Sequence, residues 1–202
     1  MLLAIDTSAG TAVALVADDG RVVAERSTAD PRRHAEVIGP FLAEVIDAEG
    51  SSPLTGVVTG IGPGPYTGLR VGIAAARAVA FARGIPLHAV PSHDAVALSL
   101  VEGGVAAGRF AVVTDARRRE VAVTVYGAAL PLPRTLQPAH LVPRIEWAPE
   151  AGVAAFEVSE IPAVALAHAA LARLGAGVEP LAPHPLYLRA PDVTLSTPKR
   201  VS

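Results

Sequence analysis

A chain of 202 residues with 51% hydrophobic and 18% charged side chains can bury a core, which excludes an intrinsically disordered protein. The absence of cysteine excludes a disulfide framework, a thiolate metal site and a cysteine nucleophile. A net charge of −2 gives no global attraction to nucleic acid or anionic membrane, and of the 17 basic residues all but Lys199 are arginine.

Charge divides unevenly: residues 1–105 carry 7 Arg against 11 Asp or Glu, and residues 106–202 carry 10 basic against 8 acidic side chains. The small, Gly-rich stretch 102–108 between them suits a lobe boundary, so we expect lobes at 1–105 and 106–202. The apolar opening Met1 to Ile5 is interrupted by Asp6 and has no basic stretch before it, unlike a secretory signal. Val71 to Phe81 is the longest apolar run, contains Arg77 and is too short to span a bilayer. The expectation is a cytoplasmic protein that does not engage a membrane.

In chain order, Leu2–Asp6, Thr11–Ala17 and Arg21–Ser27 are short apolar runs separated by turn residues, predicting a three-strand meander. A helix is expected over His34–Asp47, with Val37, Ile38, Phe41, Leu42, Val45 and Ile46 on one wide stripe and Pro40 kinking it. A buried strand, Thr55–Ile61, leads into the loop 62–68, a helix over Leu69–Arg83 and a strand over Pro86–Val90. That second helix is apolar nearly all round, so something besides the sheet must cover it. Its strip of Ile73, Ala74, Arg77 and Phe81 has small residues at the centre, which lets another helix approach closely.

Phe110–Ala116 and Glu120–Tyr126 form a further hairpin across Arg117-Arg118-Arg119. Five prolines from Pro131 to Pro149 then predict short, irregular pieces. A strand at Ala151–Val158, a helix at Pro162–Leu174 and a short ordered segment at Pro185–Arg189 complete the reading. The alternation gives an α/β protein of two related lobes.

Chemistry is sparse. Asp6-Thr7-Ser8 could hold a metal or phosphate at a strand end, or be a turn whose side chains satisfy backbone groups. Gly62-Pro63-Gly64-Pro65-Tyr66-Thr67-Gly68 aims an unusual loop at a helix N-terminus, a geometry that can bind anions. It lacks the Lys of a phosphate-binding P-loop, and its prolines remove N–H donors, so a structural loop is an equal reading. Of the six histidines, His88 and His93 are closest in sequence, and five-residue spacing does not suit ligands on one helix face. Ser92-His93-Asp94 are neighbours and cannot form a triad, so Ser92 or Asp94 reads as a helix cap. The three arginines at 117–119 could contact RNA phosphate or form a solvated turn.

Several of these segments together resemble the TsaB (YeaZ) family. They are Ile5-Asp6-Thr7-Ser8, His34-Ala35-Glu36, the run from Gly62 to Gly72, Thr114-Asp115-Ala116-Arg117 with Glu120-Val121, and Pro185-Leu186-Tyr187-Leu188-Arg189. The resemblance implies an ASKHA (actin-like ATPase, ribonuclease-H-like) fold. It implies a non-catalytic dimerisation subunit that binds and activates the TsaD catalytic subunit for threonylcarbamoyl transfer to the adenosine beside the tRNA anticodon. A TsaE-type ATPase and a second copy of the chain are further implied partners, with tRNA reached through the complex. Carried over residue by residue, the implied partner interface is His34, Ile38, Phe41, Val45, Arg70, Ile73, Ala74, Arg77 and Phe81. A residual nucleotide site would use Asp6, Thr7, Gly62, Gly64, Thr67 and Gly68. No cofactor, metal or catalytic residue is implied. The alternative is an enzyme in its own right, an actin-like ATPase or kinase or a glycoprotease-type peptidase.

Overall fold

The computed structural model describes residues 1–50 and 52–189. Strands β1 (Leu2–Asp6), β2 (Thr11–Val16), β3 (Val22–Thr28), β4 (Gly56–Gly60) and β5 (Leu87–Val90) form one sheet in the order 3-2-1-4-5. The meander β1–β3 is antiparallel, and β4 and β5 continue from β1 in parallel. A second sheet contains β6 (Arg109–Asp115), β7 (Glu120–Gly127), β8 (Arg134–Pro143) and β9 (Ala154–Val158) in the order 8-7-6-9. Again three antiparallel strands are followed by one running parallel to the first of them. The second sheet therefore repeats the first four strands of the first.

Every residue of β1 is buried, because helices cover both faces of its sheet. Leu3, Ile5, Val13, Leu15 and Val57 meet Val45 of α1 (His34–Asp47) and Ala76 and Ala80 of α2 (Tyr66–Arg83). On the opposite face Leu2, Ala4, Ala14, Val16 and Val58 meet α4 (Ala163–Gly175) through Ala163, Leu166, Ala167 and Ala170. Alanine at those positions removes side-chain bulk where the helix lies against the strands. The helix α3 (Ser92–Glu102) joins the two sheets: Ala95 and Leu98 enter the first core, while Val96 and Ala97 pack with Phe110, Val112 and Tyr126 of the second.

Two expectations need correcting. The prolines after Pro131 do not prevent a strand, since β8 runs through Pro138 to Pro143. It is an edge strand, and Pro138 falls between the Val123–His140 and Val125–Gln137 pairs, where the register is interrupted and no ladder donor is required. The second helix begins at Tyr66 rather than Leu69, so Thr67 and Gly68 belong to its first turn. The first helix is one segment from His34 to Asp47, with Pro40 on its exposed side. No helix among the described residues is long and apolar enough to cross a membrane.

Candidate functional site: a closed crevice and an uncovered helix face

The end of β1, the glycine loop and the start of α3 converge on Asp6. Its Oδ1 accepts hydrogen bonds from the Ser8 backbone N–H at 2.7 Å and the Ser8 hydroxyl at 2.6 Å. Its Oδ2 accepts the Ser92 hydroxyl at 2.6 Å. Ser92 in turn accepts from the Gly62 backbone N–H at 3.1 Å, and its own N–H donates to the Gly62 carbonyl at 2.8 Å. Burial pushes the Asp6 carboxyl above the ordinary aspartate range, and the Ser8 and Ser92 hydrogen bonds pull it back. Thr7 performs the parallel task one residue on. Its hydroxyl donates to the Gly68 carbonyl at 2.6 Å and accepts from the Gly72 N–H at 2.9 Å.

The glycines of this region exist for contact. A Cβ on Gly64 would lie 2.7 Å from the Ser8 carbonyl oxygen, and one on Gly68 would lie 2.6 Å from the Thr7 carbonyl oxygen. On Gly72 it would meet the Thr7 hydroxyl at 2.3 Å. The structure thus brings together Asp6, Thr7, Gly62, Gly64 and Gly68, as the residual-site expectation required, but packs them on one another. Thr67 lies apart, exposed in the first turn of α2. The loop cradles the Asp6-Thr7-Ser8 turn itself, and close backbone approach to that turn is what its glycines provide. Neither Ser92 nor Asp94 caps α3, whose N-cap is Pro91 with no side-chain cap bond. Ser92 is committed to Asp6, and Asp94 accepts the Tyr126 hydroxyl at 2.7 Å. No group of three or more His, Asp or Glu able to hold a metal occurs among the described residues.

His93 sits between α3 and the second sheet, with Nδ1 2.8 Å from the Thr124 hydroxyl and Nε2 2.9 Å from the Thr114 hydroxyl. Burial pushes its pKa down to about 3, so the imidazole is neutral in the folded chain. A depressed histidine pKa gives stability that is full above about pH 6.5 and lost as pH falls toward 3, at about 1.4 kcal/mol per unit. Asp6 and Asp94, both raised by burial, act in the opposite direction. We therefore expect His93→Gln to flatten the acid limb: the urea midpoint should change less between pH 7 and pH 5 than in the parent. Equal changes in the two proteins would remove His93 as the source.

The expected interface residues separate into two groups. His34, Val45 and Ile73 are buried inside the chain, at 7%, 0% and 3% exposure, and cannot touch a partner directly. His34 Nδ1 meets the Thr11 hydroxyl at 2.9 Å, and Ile73 packs with Ile61 and Leu69. Arg70, Ala74, Arg77 and Phe81 remain on the outer face of α2, and Phe81 is 91% exposed. Ile38 and Phe41 of α1 are half-buried at the edge of the same core.

One contact of this face was not foreseen. The C-terminal segment runs along α2: Arg77 donates to the Pro183 carbonyl at 2.7 Å, and Arg70 Nε donates to the Tyr187 hydroxyl at 2.9 Å. The Tyr187 ring stacks on Tyr66 at 4.9 Å, and the Arg70 guanidinium lies 3.9 Å from the Tyr66 centroid. Arg189 then pairs with Glu120 at the start of β7. Nothing in the spacing of Pro185–Arg189 indicated which surface it covers.

A five-stranded 3-2-1-4-5 sheet joined to its own four-strand repeat defines an actin-like ATPase fold. The family model described as TsaD, tRNA N6-adenosine threonylcarbamoyltransferase, matches residues 21–139. A Mycobacterium tuberculosis protein, Rv3421c, is 41% identical over 217 residues, covering 95% of this chain and 92% of that one. The Bacillus subtilis tRNA threonylcarbamoyladenosine biosynthesis protein TsaB is 34% identical over 128 residues, 62% of this chain and 54% of that protein. The solved structure of YeaZ from Pseudomonas aeruginosa is similar with a TM-score of 0.75 and 25% identity, covering 93% of this chain and 99% of that one. The chain belongs to the TsaB/YeaZ branch of the TsaD family.

Proposed function

We propose that this protein is the accessory, dimerisation subunit of a threonylcarbamoyladenosine-forming complex, docking a TsaD-type catalytic subunit on the outer faces of α1 and α2. Family membership points to the biosynthesis of threonylcarbamoyladenosine in tRNA. The observation that carries the scaffold role is the part of α2's outer face that stays exposed beside the C-terminal segment, where Phe81 is 91% exposed along with Ala74, Ala78 and Ala82. An exposed aromatic among small residues suits a close helix–helix contact with a partner. The Asp6 crevice supports the same reading, because the groups that could serve a phosphate or metal are spent on one another. A TsaE-type ATPase and a homodimer of the isolated chain belong to the same proposal, as does a cytoplasmic site of action.

The test is reconstitution by omission. Threonylcarbamoyladenosine on tRNA is measured with the catalytic subunit, the TsaE-type ATPase and the adenylate-forming enzyme, with and without this chain. Loss of product on omission, and none from this chain alone, is the expected result. Undiminished product without it would overturn the accessory role, and ATP or peptide turnover by the chain alone would favour the enzyme reading.

A further inference from the structure

We infer that the arginine turn between β6 and β7, with Arg32 beside it, is a phosphate-contacting surface that holds the RNA substrate of the complex. The inference rests on the function proposed above. Arg117, Arg118 and Arg119 are all exposed and all left-handed, with φ of 59°, 52° and 63°. Left-handed backbone is rare for residues other than glycine and asparagine, and strain of this kind concentrates at functional positions. A solvated turn would be met more easily by Asn or Gly.

Contacts fix where the turn lies. The Arg117 guanidinium donates to the Pro31 carbonyl at 3.4 Å, which brings the loop of Arg32 and Arg33 alongside. The Arg119 carbonyl accepts the Arg144 N–H at 2.7 Å. Nearby carboxylates have other partners: Glu36 pairs with Arg33, Asp115 and Glu157 with Arg144, and Glu120 with Arg189, while Asp115 Oδ2 also accepts the Arg117 backbone N–H at 3.2 Å. Asp30 accepts the Arg32 backbone N–H at 3.0 Å. Arg32, Arg117 and Arg119 are exposed and form no ion pair among the described residues. The forked donors of arginine match phosphate oxygens, and no exposed aromatic side chain lies in the turn to stack a base. This chemistry fits the sugar–phosphate backbone of RNA rather than its bases. The position fits as well, because the turn abuts the loop that opens α1, next to the face proposed for the catalytic subunit.

The experiment titrates an unmodified tRNA transcript, by fluorescence anisotropy over a series of salt concentrations, into this chain alone and into its complex with the catalytic subunit. In one variant Arg117, Arg118 and Arg119 are all replaced by Asn, which tolerates left-handed backbone. In a second, all three are replaced by Lys, which keeps the charge. For the complex we expect the Asn variant to bind about tenfold more weakly or worse at moderate salt. Its slope of log K against log salt should be shallower by about two units, at roughly 0.7–0.9 per lost phosphate contact. The Lys variant should keep most of the slope. Unchanged slopes in both variants, with melting temperatures like the parent's, would overturn the inference. So would weaker pairing with the catalytic subunit at unaltered RNA affinity, which would assign the turn to an acidic protein surface. Omitting the whole chain from the product assay separates the two claims. Undiminished product overturns the accessory role, whereas lost product with unaltered RNA affinity of the variants overturns only the arginine surface.

Discussion

A Gly60→Ala variant is expected to be strongly destabilised. Its new methyl would lie 1.8 Å from Oδ2 of Asp6 and 2.8 Å from the Ser92 hydroxyl. Neither neighbour can yield cheaply. Asp6 ends β1, which pairs with β4 through Ile5 and Thr59, and its carboxylate holds Ser8 and Ser92 in place. Either the two strands separate or a buried carboxylate leaves its donors, and each outcome belongs among the costly classes of substitution. We expect about 4 kcal/mol or more, out of a total stability on the order of 5–15 kcal/mol, and a melting temperature lower by about 10 °C. Gly39→Ala is the control. It lies on the exposed side of α1 with nothing within 4 Å and should be neutral or stabilising, by up to about 1 kcal/mol. Melting of the Gly60 variant within about 2 °C of the parent would mean that the crevice has slack these distances deny.

Phe81→Glu should have the opposite profile, an intact fold and a lost partner. A side chain 91% exposed supports nothing inside the chain, so the melting temperature should stay close to the parent's. If Phe81 is the anchor of the docking face, a carboxylate there should weaken pairing with the catalytic subunit by about 2–4 kcal/mol, roughly 30- to 1,000-fold. Ile73→Glu is the informative comparison. Ile73 is 3% exposed against Ile61 and Leu69, so the same change about two helical turns before Phe81 should cost folding rather than binding. Calorimetry for the fold and a titration for the pairing read the two effects separately. Undiminished pairing by a well-folded Phe81→Glu protein would move the docking surface away from α2.

The elements were legible in the sequence wherever one periodicity ruled. The stripe from Val37 to Ile46 gives α1 its observed bounds, and the apolar runs around Asp6 and Asp18-Asp19-Gly20 give the meander. Where local chemistry and pairing disagreed, pairing prevailed: Pro138 reads as a breaker in isolation, yet the edge of a sheet accommodates it. Burial of individual helix residues was less legible. Ile73 and Phe81 lie on one strip in the sequence, and only the approach of the sheet and of Tyr187 decides that the first is inside and the second outside. The glycine loop carried both a ligand reading and a structural one because glycine serves close approach of any kind. What it approaches, the Asp6-Thr7-Ser8 turn some 55 residues earlier, is information that local spacing does not contain.

The position of α4 bears on how the chain can fold as it is made. The helix that covers the second face of the first sheet is encoded at residues 163–175, and His168 reaches the Gly20 carbonyl at 2.8 Å across 148 positions. Until that helix leaves the ribosome, Leu2, Ala4, Ala14, Val16 and Val58 have lost their cover and present an apolar sheet face to the cell. At ordinary elongation rates this interval lasts on the order of ten seconds or more, long enough for a chaperone to bind or for nascent chains to associate. Emergence of α4, rather than completion of the first five strands, is therefore the event that closes this core.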